Sequence, residues 1–352
     1  MGVTRERGPN VAEDVVDFEL TDARQTWVAL LHELRRPRRI EFTRTGATFT
    51  LSYPRPDADR LEYLLELTRP SGATQVTPDP TNPLRAPGPF GEKSVIEFPA
   101  YEPPEWLLDD DAPRGEVREV PLRSARLASV VPALLWSAAE TDPREPLPLL
   151  VVHDGPEYAR YSALLELLDH LVSFGETPEF RALLLPPEPA RNELYSASMR
   201  YANALANELL PEARRHAPSE YPLVLLGASL GALAAVHAHV RSPGLAGGLF
   251  LQSGSFFRRR FDAHEAGFPR FARITRFVGR MYGRRSLAAP VPTVITCGTA
   301  EENLANNRAL AEALGERGWP VTTFWNRDAH NWTAWRDALQ PQFAELLLRV
   351  WT

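Results

Sequence analysis

The chain reads as an α/β protein, with a mostly parallel sheet covered by helices on both faces and a small β-sandwich ahead of it. Three observations predict this. After residue 144, short continuous apolar runs alternate with helical patterns, as expected of strands buried on both faces and joined by helices. Before residue 144, short alternating segments are separated by proline and glycine turns, which suits a sandwich. Finally, 33 of the 352 residues are proline, against a usual share of about 5%. Proline cannot donate to a sheet ladder, so it marks edges, turns and linkers.

Taken in order, Asp22 to Leu34 is expected to form one amphipathic helix. Arg39–Ser52 alternates as strands, with Ile40, Phe42, Phe49 and Leu51 on apolar positions. Leu61–Leu67 alternates again, and Ser71-Gly72 supplies a turn after it. Pro78 to Pro89 is a proline-rich loop. Val95–Phe98, Val117–Leu122 and Val130–Trp136 complete the expected sandwich strands. Ala139–Pro148 is polar and proline-containing, which predicts a boundary. The expected domains are therefore 1–143 and 144–352.

In the second domain the strands are expected at Leu147–Val152, Ala182–Leu185, Leu223–Leu226, Gly248–Leu251, Thr293–Thr296 and Val321–Phe324. Helices are expected at Ala163–Val172, Ser196–Leu210, Ala232–Val240, Asn306–Arg317 and Thr333–Val350. No internal repeat and no low-complexity segment is found.

Composition excludes several classes. Hydrophobic content is 44% and charged content 24%, an ordinary globular mix. A formal net charge of -6 argues against a general nucleic-acid binder. A single cysteine, Cys297, excludes a disulfide framework and a multi-thiolate zinc site, and reads as buried strand filler. The charged start has no apolar stretch behind it, so no signal peptide is expected. No apolar run reaches the roughly 18 residues that span a bilayer. The expectation is a cytoplasmic protein with no membrane or nucleic-acid partner.

The strongest local signal is Gly227-Ala228-Ser229-Leu230-Gly231, between an apolar strand and an alanine-rich helix. This is the strand–turn–helix setting of a nucleophile elbow. Such a turn is sharp, so its flanks must be small, and Gly227 and Gly231 satisfy that. Ser229 then stands at the tip. The Leu230 N–H sits at a helix start, free to face an oxyanion.

A nucleophilic serine needs a base within hydrogen-bond reach. Of the eight histidines, His237 and His239 lie along the helix after Ser229 and recede by about 12 Å or more. His32 belongs to the other expected domain. His170 and His216 fall in helical or pre-strand segments, and His264 in an arginine-rich stretch. His330 follows Val321–Phe324 by a short loop, where strand C-termini present side chains. Its place late in the chain matches the order serine, acid, histidine. The acid is Glu301 or Glu302, which follow the strand Pro292–Cys297 through Gly298-Thr299-Ala300. One of the two reads equally well as helix N-terminal charge. Asp328 reads as a loop-shaping residue.

These residues resemble a known family. His153-Asp154-Gly155, Gly227–Gly231, Gly298-Thr299-Ala300-Glu301 and the segment from His330 to Arg336 are similar to the enterochelin esterases, an esterase D-like branch of the α/β-hydrolases. Asp79-Pro80-Thr81-Asn82-Pro83, then Phe90 and Tyr101…Pro104-Glu105-Trp106, resemble that family's N-terminal immunoglobulin-like domain. The resemblance implies an α/β-hydrolase fold and a Ser229–Glu301–His330 triad, with Glu301 preferred over Glu302. It implies a second oxyanion donor just after Asp154-Gly155. The residue there is Pro156, which has no N–H, so the donor is Gly155 or Glu157, or the loop is arranged differently.

Phe256 to Arg285 carries nine arginines against two acidic residues, Asp262 and Glu265, with aromatic residues interleaved. It is expected to form a basic, aromatic cap for an anionic or polyphenolic ester, with Arg258 and Arg259 touching substrate. Ferric catecholate siderophores, the substrates the resemblance implies, suit such a cap. A solvated helical face with paired arginines is the plainer alternative. Asp154 shapes the loop beside the nucleophile or binds substrate. Arg191 pairs with Glu157 or Glu193, or contacts substrate. Trp332 and Trp335 cover His330 or pack the last helix. The chemistry implies no metal and no organic cofactor. An acyltransferase on the same triad, or a non-catalytic binder with an impaired oxyanion hole, are the competing expectations.

Overall fold

The computed structural model describes residues 8–35, 37–108, 111–283 and 288–352. The first seven residues of the charged start, and Arg284 and Arg285 of the basic segment, lie outside them. The chain divides into two compact units. One comprises 1–102 with 298–302 and 326–334, and the other holds the remainder.

The first unit is an antiparallel β-sandwich. One sheet is four-stranded, with Val15–Thr21 paired along Thr48–Pro54. The other is six-stranded and centred on Arg60–Thr68, which pairs with Trp27–His32 and Lys93–Glu97. Alternation drives the packing: Val16, Phe18 and Leu20 face Val28, Leu30, Leu61, Tyr63 and Leu65 across the core. The helix expected over 22–34 is instead the strand Trp27–His32. Its run of buried residues fits either period, and two antiparallel neighbours decide it. Burial also holds the Asp79-Pro80-Thr81-Asn82 turn in place. The Asp79 carboxylate accepts from Tyr63 Oη at 2.8 Å and from Thr81 N at 2.8 Å. Asn82 Nδ2 donates to Val95 O at 2.7 Å.

The second unit is built on an eight-stranded mixed sheet. Its strands are β1 (Glu116–Ser124), β2 (Ser129–Ser137), β3 (Leu149–His153), β4 (Arg181–Leu185), β5 (Leu223–Ala228), β6 (Ala246–Gln252), β7 (Thr293–Gly298) and β8 (Val321–Asn326). The order is β1-β2-β4-β3-β5-β6-β7-β8. The β1–β2 hairpin is antiparallel and joins β4 antiparallel, while β4, β3, β5, β6 and β7 run parallel. Strands β3, β4, β5 and β7 are buried along their whole length, as their continuous apolar runs require. This is an α/β-hydrolase sheet.

The expected boundary at 143 and the observed division differ by two strands. β1 and β2, expected in the sandwich, extend the large sheet, with Leu134 opposite Leu184 and Leu135 opposite Leu183. The polar segment after them is no linker, because the buried Arg181 guanidinium donates to Glu145 O at 2.8 Å and to Asp142 O at 2.7 Å. The expected single helix over 333–350 is two, Trp332–Asp337 and Gln342–Trp351. Pro341 stands between them and lacks the N–H a continuous helix would need.

Candidate active site

Ser229 caps the helix Leu230–Arg241 with φ 55° and ψ −119°. A non-glycine residue at positive φ costs about 1–3 kcal/mol and persists only where its surroundings fix it. Here the fixing is visible. Ser229 N donates to Gln252 O at 2.8 Å, and Ser255 N donates to Ser229 O at 3.1 Å. A Cβ at Gly227 would lie 2.6 Å from the Gly231 carbonyl carbon, and one at Gly231 would lie 3.2 Å from His153 Cβ. Close backbone approach therefore requires glycine at 227, whereas a Cβ at 231 would need the His153 and Asp154 side chains to give by a few tenths of an ångström. The Ser229 Oγ lies 3.2 Å from Ser255 Oγ. Leu230, the first helical residue, presents an N–H with no intrahelical acceptor.

The β3 end supplies the adjoining loop. Asp154 has a left-handed backbone at φ 54° and starts the short helix Gly155–Tyr161. Pro156 fits that helix's first turn, where its missing N–H breaks no ladder. A Cβ at Gly155 would lie 2.4 Å from Leu184 Cα, so glycine is needed for the helix to reach β4. Asp154 is buried and accepts two bonds from Arg191, at 2.7 and 2.6 Å. The guanidinium also sits 5.3 Å from the Tyr195 ring centroid. So Arg191 pairs with Asp154, not with Glu157 or Glu193, and the pair orders the loop. Glu193 instead binds Arg270 and Arg273.

Glu301 and His330 meet within the first unit. His330 Nδ1 is 2.6 Å from Glu301 Oε2. A carboxylate only accepts, so Nδ1 carries the proton and Nε2 is left as the basic nitrogen. The second Glu301 oxygen accepts from Gly298 N at 2.7 Å. Burial disfavours the imidazolium, but the Glu301 charge and hydrogen bond outweigh it, and the His330 pKa is raised. Glu302 turns away to Arg38, at 2.5 Å.

Two loops hold this pair. Ala300 N donates to Asp328 O at 3.1 Å and Thr299 N to Asn326 O at 2.7 Å. A Cβ at Gly298 would lie 2.2 Å from Asp328 O, so only glycine lets the loops meet. Asp328 Oδ1 accepts from Ala329 N at 2.7 Å and Asn331 Nδ2 at 3.0 Å, tightening the turn before His330. Burial pushes the Asp328 carboxyl up to about 7, against the pull of Arg60. Arg35 ties the Glu301 loop to the sandwich, donating from its backbone to Ala300 O at 3.0 Å and from Nη2 to Thr299 O at 2.8 Å. Sequence reading misses Arg35, Arg60 and Ser255, because no local pattern links them to the motif residues.

A family model described as "Putative esterase" matches residues 138–346. This chain belongs to that esterase family. The esterase-family chain is 29% identical over 226 residues to the Iron(III) enterobactin esterase of Dickeya dadantii (strain 3937), covering 60% of this chain. It spans about half the length of that relative, 51%. Among solved structures it is similar to the Shigella flexneri enterobactin esterase crystallised with 2,3-dihydroxy-N-benzoyl-serine, with TM-score 0.75, 19% identity, and 98% and 97% of the two chains covered. The Salmonella typhimurium ferric enterobactin esterase gives TM-score 0.75 at 20% identity, covering 98% and 97%. The ferulic acid esterase of Anaeromyces mucronatus, without substrate, gives TM-score 0.53 at 14%, covering 69% and 96%. At these identities the likeness concerns the fold.

In this esterase-family chain part of the basic segment is built into the core. Phe256 and Phe257 are buried, and the helix Phe271–Met281 packs Ile274, Phe277 and Val278 inward. Arg273 is used structurally, donating to Ser196 O at 2.6 Å. Arg258 lies over the Tyr282 ring at 3.7 Å. With Arg259, Arg260 and Arg276 it lines a cavity of about 430 Å³. Trp332 is half-buried at the start of its helix, while Trp335 Nε1 donates to Ser253 Oγ at 3.0 Å. Among the described residues no helix is long and apolar enough to cross a membrane.

Proposed function

We propose that this chain is a serine carboxylic ester hydrolase with Ser229 as nucleophile, His330 as base and Glu301 as the acid that orients it. The Glu301–His330 hydrogen bond carries the reading, because it fixes the imidazole tautomer that a serine needs. The strained Ser229 backbone at a strand-to-helix turn supports it independently. Ser229 Oγ attacks the ester carbonyl carbon while His330 Nε2 takes its proton. The tetrahedral oxyanion is held by the Leu230 N–H and by a donor at Gly155. His330 then protonates the leaving alcohol. Water releases the acid from Ser229 by the reverse sequence of proton transfers.

The substrate we infer is an ester of an anionic or catecholate acid, of the ferric siderophore class. Family membership and the enterobactin esterase relatives support this. So does the cavity beside Arg258 and Arg259, whose lining is cationic. Trp332 is assigned to the substrate side on the same reading. Iron would arrive with the substrate, and the chemistry asks for no resident cofactor. A cytoplasmic site of action belongs to the same proposal.

The test is a screen of p-nitrophenyl esters beside a ferric tricatecholate, with Ser229→Ala as control. Hydrolysis by the wild type and none by the variant is expected. Wild-type protein that binds the chelate but resists a fluorophosphonate probe would point to a binder. Ester formation with an added alcohol would point to an acyltransferase.

A further inference from the structure

We infer that Ser255 is a second catalytic hydroxyl, donating a hydrogen bond to Ser229 Oγ as charge develops there. The inference deepens the esterase reading and rests on it.

Ser255 is 2% exposed, and its Oγ is 3.2 Å from the Ser229 Oγ. Its backbone N–H also holds the Ser229 carbonyl. Both contacts run to the same residue, so the segment after β6 grips the elbow by main chain and side chain together. That segment is itself fixed. Gly254 N donates to Asn307 Oδ1 at 3.0 Å, and Asn307 Nδ2 returns a bond to Gly254 O at 2.9 Å. Ser253 N donates to Thr296 O at 2.7 Å, and Asn303 Nδ2 to Ser253 O at 3.2 Å. Ser253 has φ 45°, a left-handed backbone held by these bonds. The backbone bonds and burial hold the Ser255 hydroxyl oxygen in place before substrate arrives.

Each hydroxyl of the pair carries its own proton, one hydrogen bond joins them, and either oxygen can donate it. Deprotonation breaks the tie. When the Ser229 proton leaves for the base, Ser229 Oγ retains only lone pairs, and Ser255 becomes the donor. In acylation the Oγ–carbonyl carbon bond forms and the Ser229 proton passes to the imidazole. In deacylation water adds to the acyl carbon, the carbon–Oγ bond breaks, and Ser229 Oγ recovers a proton from the imidazole. Ser255 keeps its own proton throughout. A hydrogen bond to a charged group is about twice as strong as one between neutral groups. Its removal should therefore slow the chemical steps by about tenfold to a hundredfold.

The experiment compares wild type, Ser255→Ala and Ser255→Cys, the last having similar volume but a weak S–H donor. Three quantities are read: the rate of fluorophosphonate labelling, kcat and KM on a neutral p-nitrophenyl ester, and the melting temperature. Labelling rate and kcat should fall in the order Ser, Cys, Ala, with KM within twofold and melting little changed. If Ser255→Ala is poorly folded, the Cys variant alone decides, since it should still fall severalfold. Wild-type rates in either folded variant, or faster labelling in Ser255→Ala, would overturn the role of Ser255 and leave the esterase reading standing. A wild type that is neither labelled nor active would overturn both.

Discussion

The Glu301 carboxylate binds His330 Nδ1 at 2.6 Å while its other oxygen accepts from the Gly298 backbone. The pair is thus oriented by main chain as well as by charge. Because Glu301 raises the His330 pKa above 6.5, kcat/KM should climb with pH through an acid limb centred above that value. Glu301→Gln removes the charge and leaves the burial, so the limb should move down. The plateau should fall by about 10³–10⁴-fold, as for a wrong tautomer. A pH–rate profile of both proteins checks this.

The elbow tolerates no side chain at Gly227. A Cβ there would stand 2.6 Å from backbone, and backbone cannot give as a flexible side chain does. Gly227→Ala should cost about 1–3 kcal/mol or more. It should also abolish fluorophosphonate labelling even where folded protein is recovered. Chemical denaturation and labelling measure the two effects separately.

Asp328 is buried with Arg60 Nη1 at 3.7 Å and has a pKa pushed up to about 7. Its folded-state pKa lies above the unfolded one. Its contribution is fully present below the ordinary carboxylate range and is lost as pH rises through about 7. Asp328→Asn can keep both Oδ1 bonds, to Ala329 N and Asn331. Its melting temperature should therefore vary less between pH 5 and pH 8 than that of the wild type, as followed by scanning calorimetry.

Three histidines behave in the opposite sense. Burial lowers His32, His153 and His237 to about 4. Their stability contribution is present above the unfolded value of about 6.5 and is lost as pH falls towards 4. Each is worth about 3 kcal/mol at the low end of that window. The protein should lose cooperative folding within it. Replacing His237, which packs edge-on against Phe277, with Phe or Leu should move the acid midpoint down.

Arg259 and Arg260 are exposed at the cavity, unlike Arg273. Replacing both with glutamine should raise KM for an anionic ester by about threefold to tenfold at low salt. KM for a neutral ester should not change. The difference should shrink at high ionic strength. Steady-state kinetics at two salt concentrations would show it.

The sequence by itself determined the elbow and most of the parallel strands, because both are local. Gly227–Gly231 is a turn whose sterics lie within five residues. Strands such as Leu223–Ala228, buried on both faces, announce themselves by unbroken apolar runs. Position along the chain also singled out His330, with Glu301 and Glu302, as candidates. Tertiary structure decided the rest. The strand at Trp27–His32 reads locally as a helix and becomes a strand through two neighbours. β1 and β2 left the sandwich for the large sheet because Leu134 and Leu135 found partners on β4. The Glu301–His330 bond, the Asp154–Arg191 pair and the Ser229–Ser255 contact all join side chains far apart in the chain. Periodicity cannot see such contacts, since a hydrogen bond or a cross-strand pair depends on where the remaining residues place its partner.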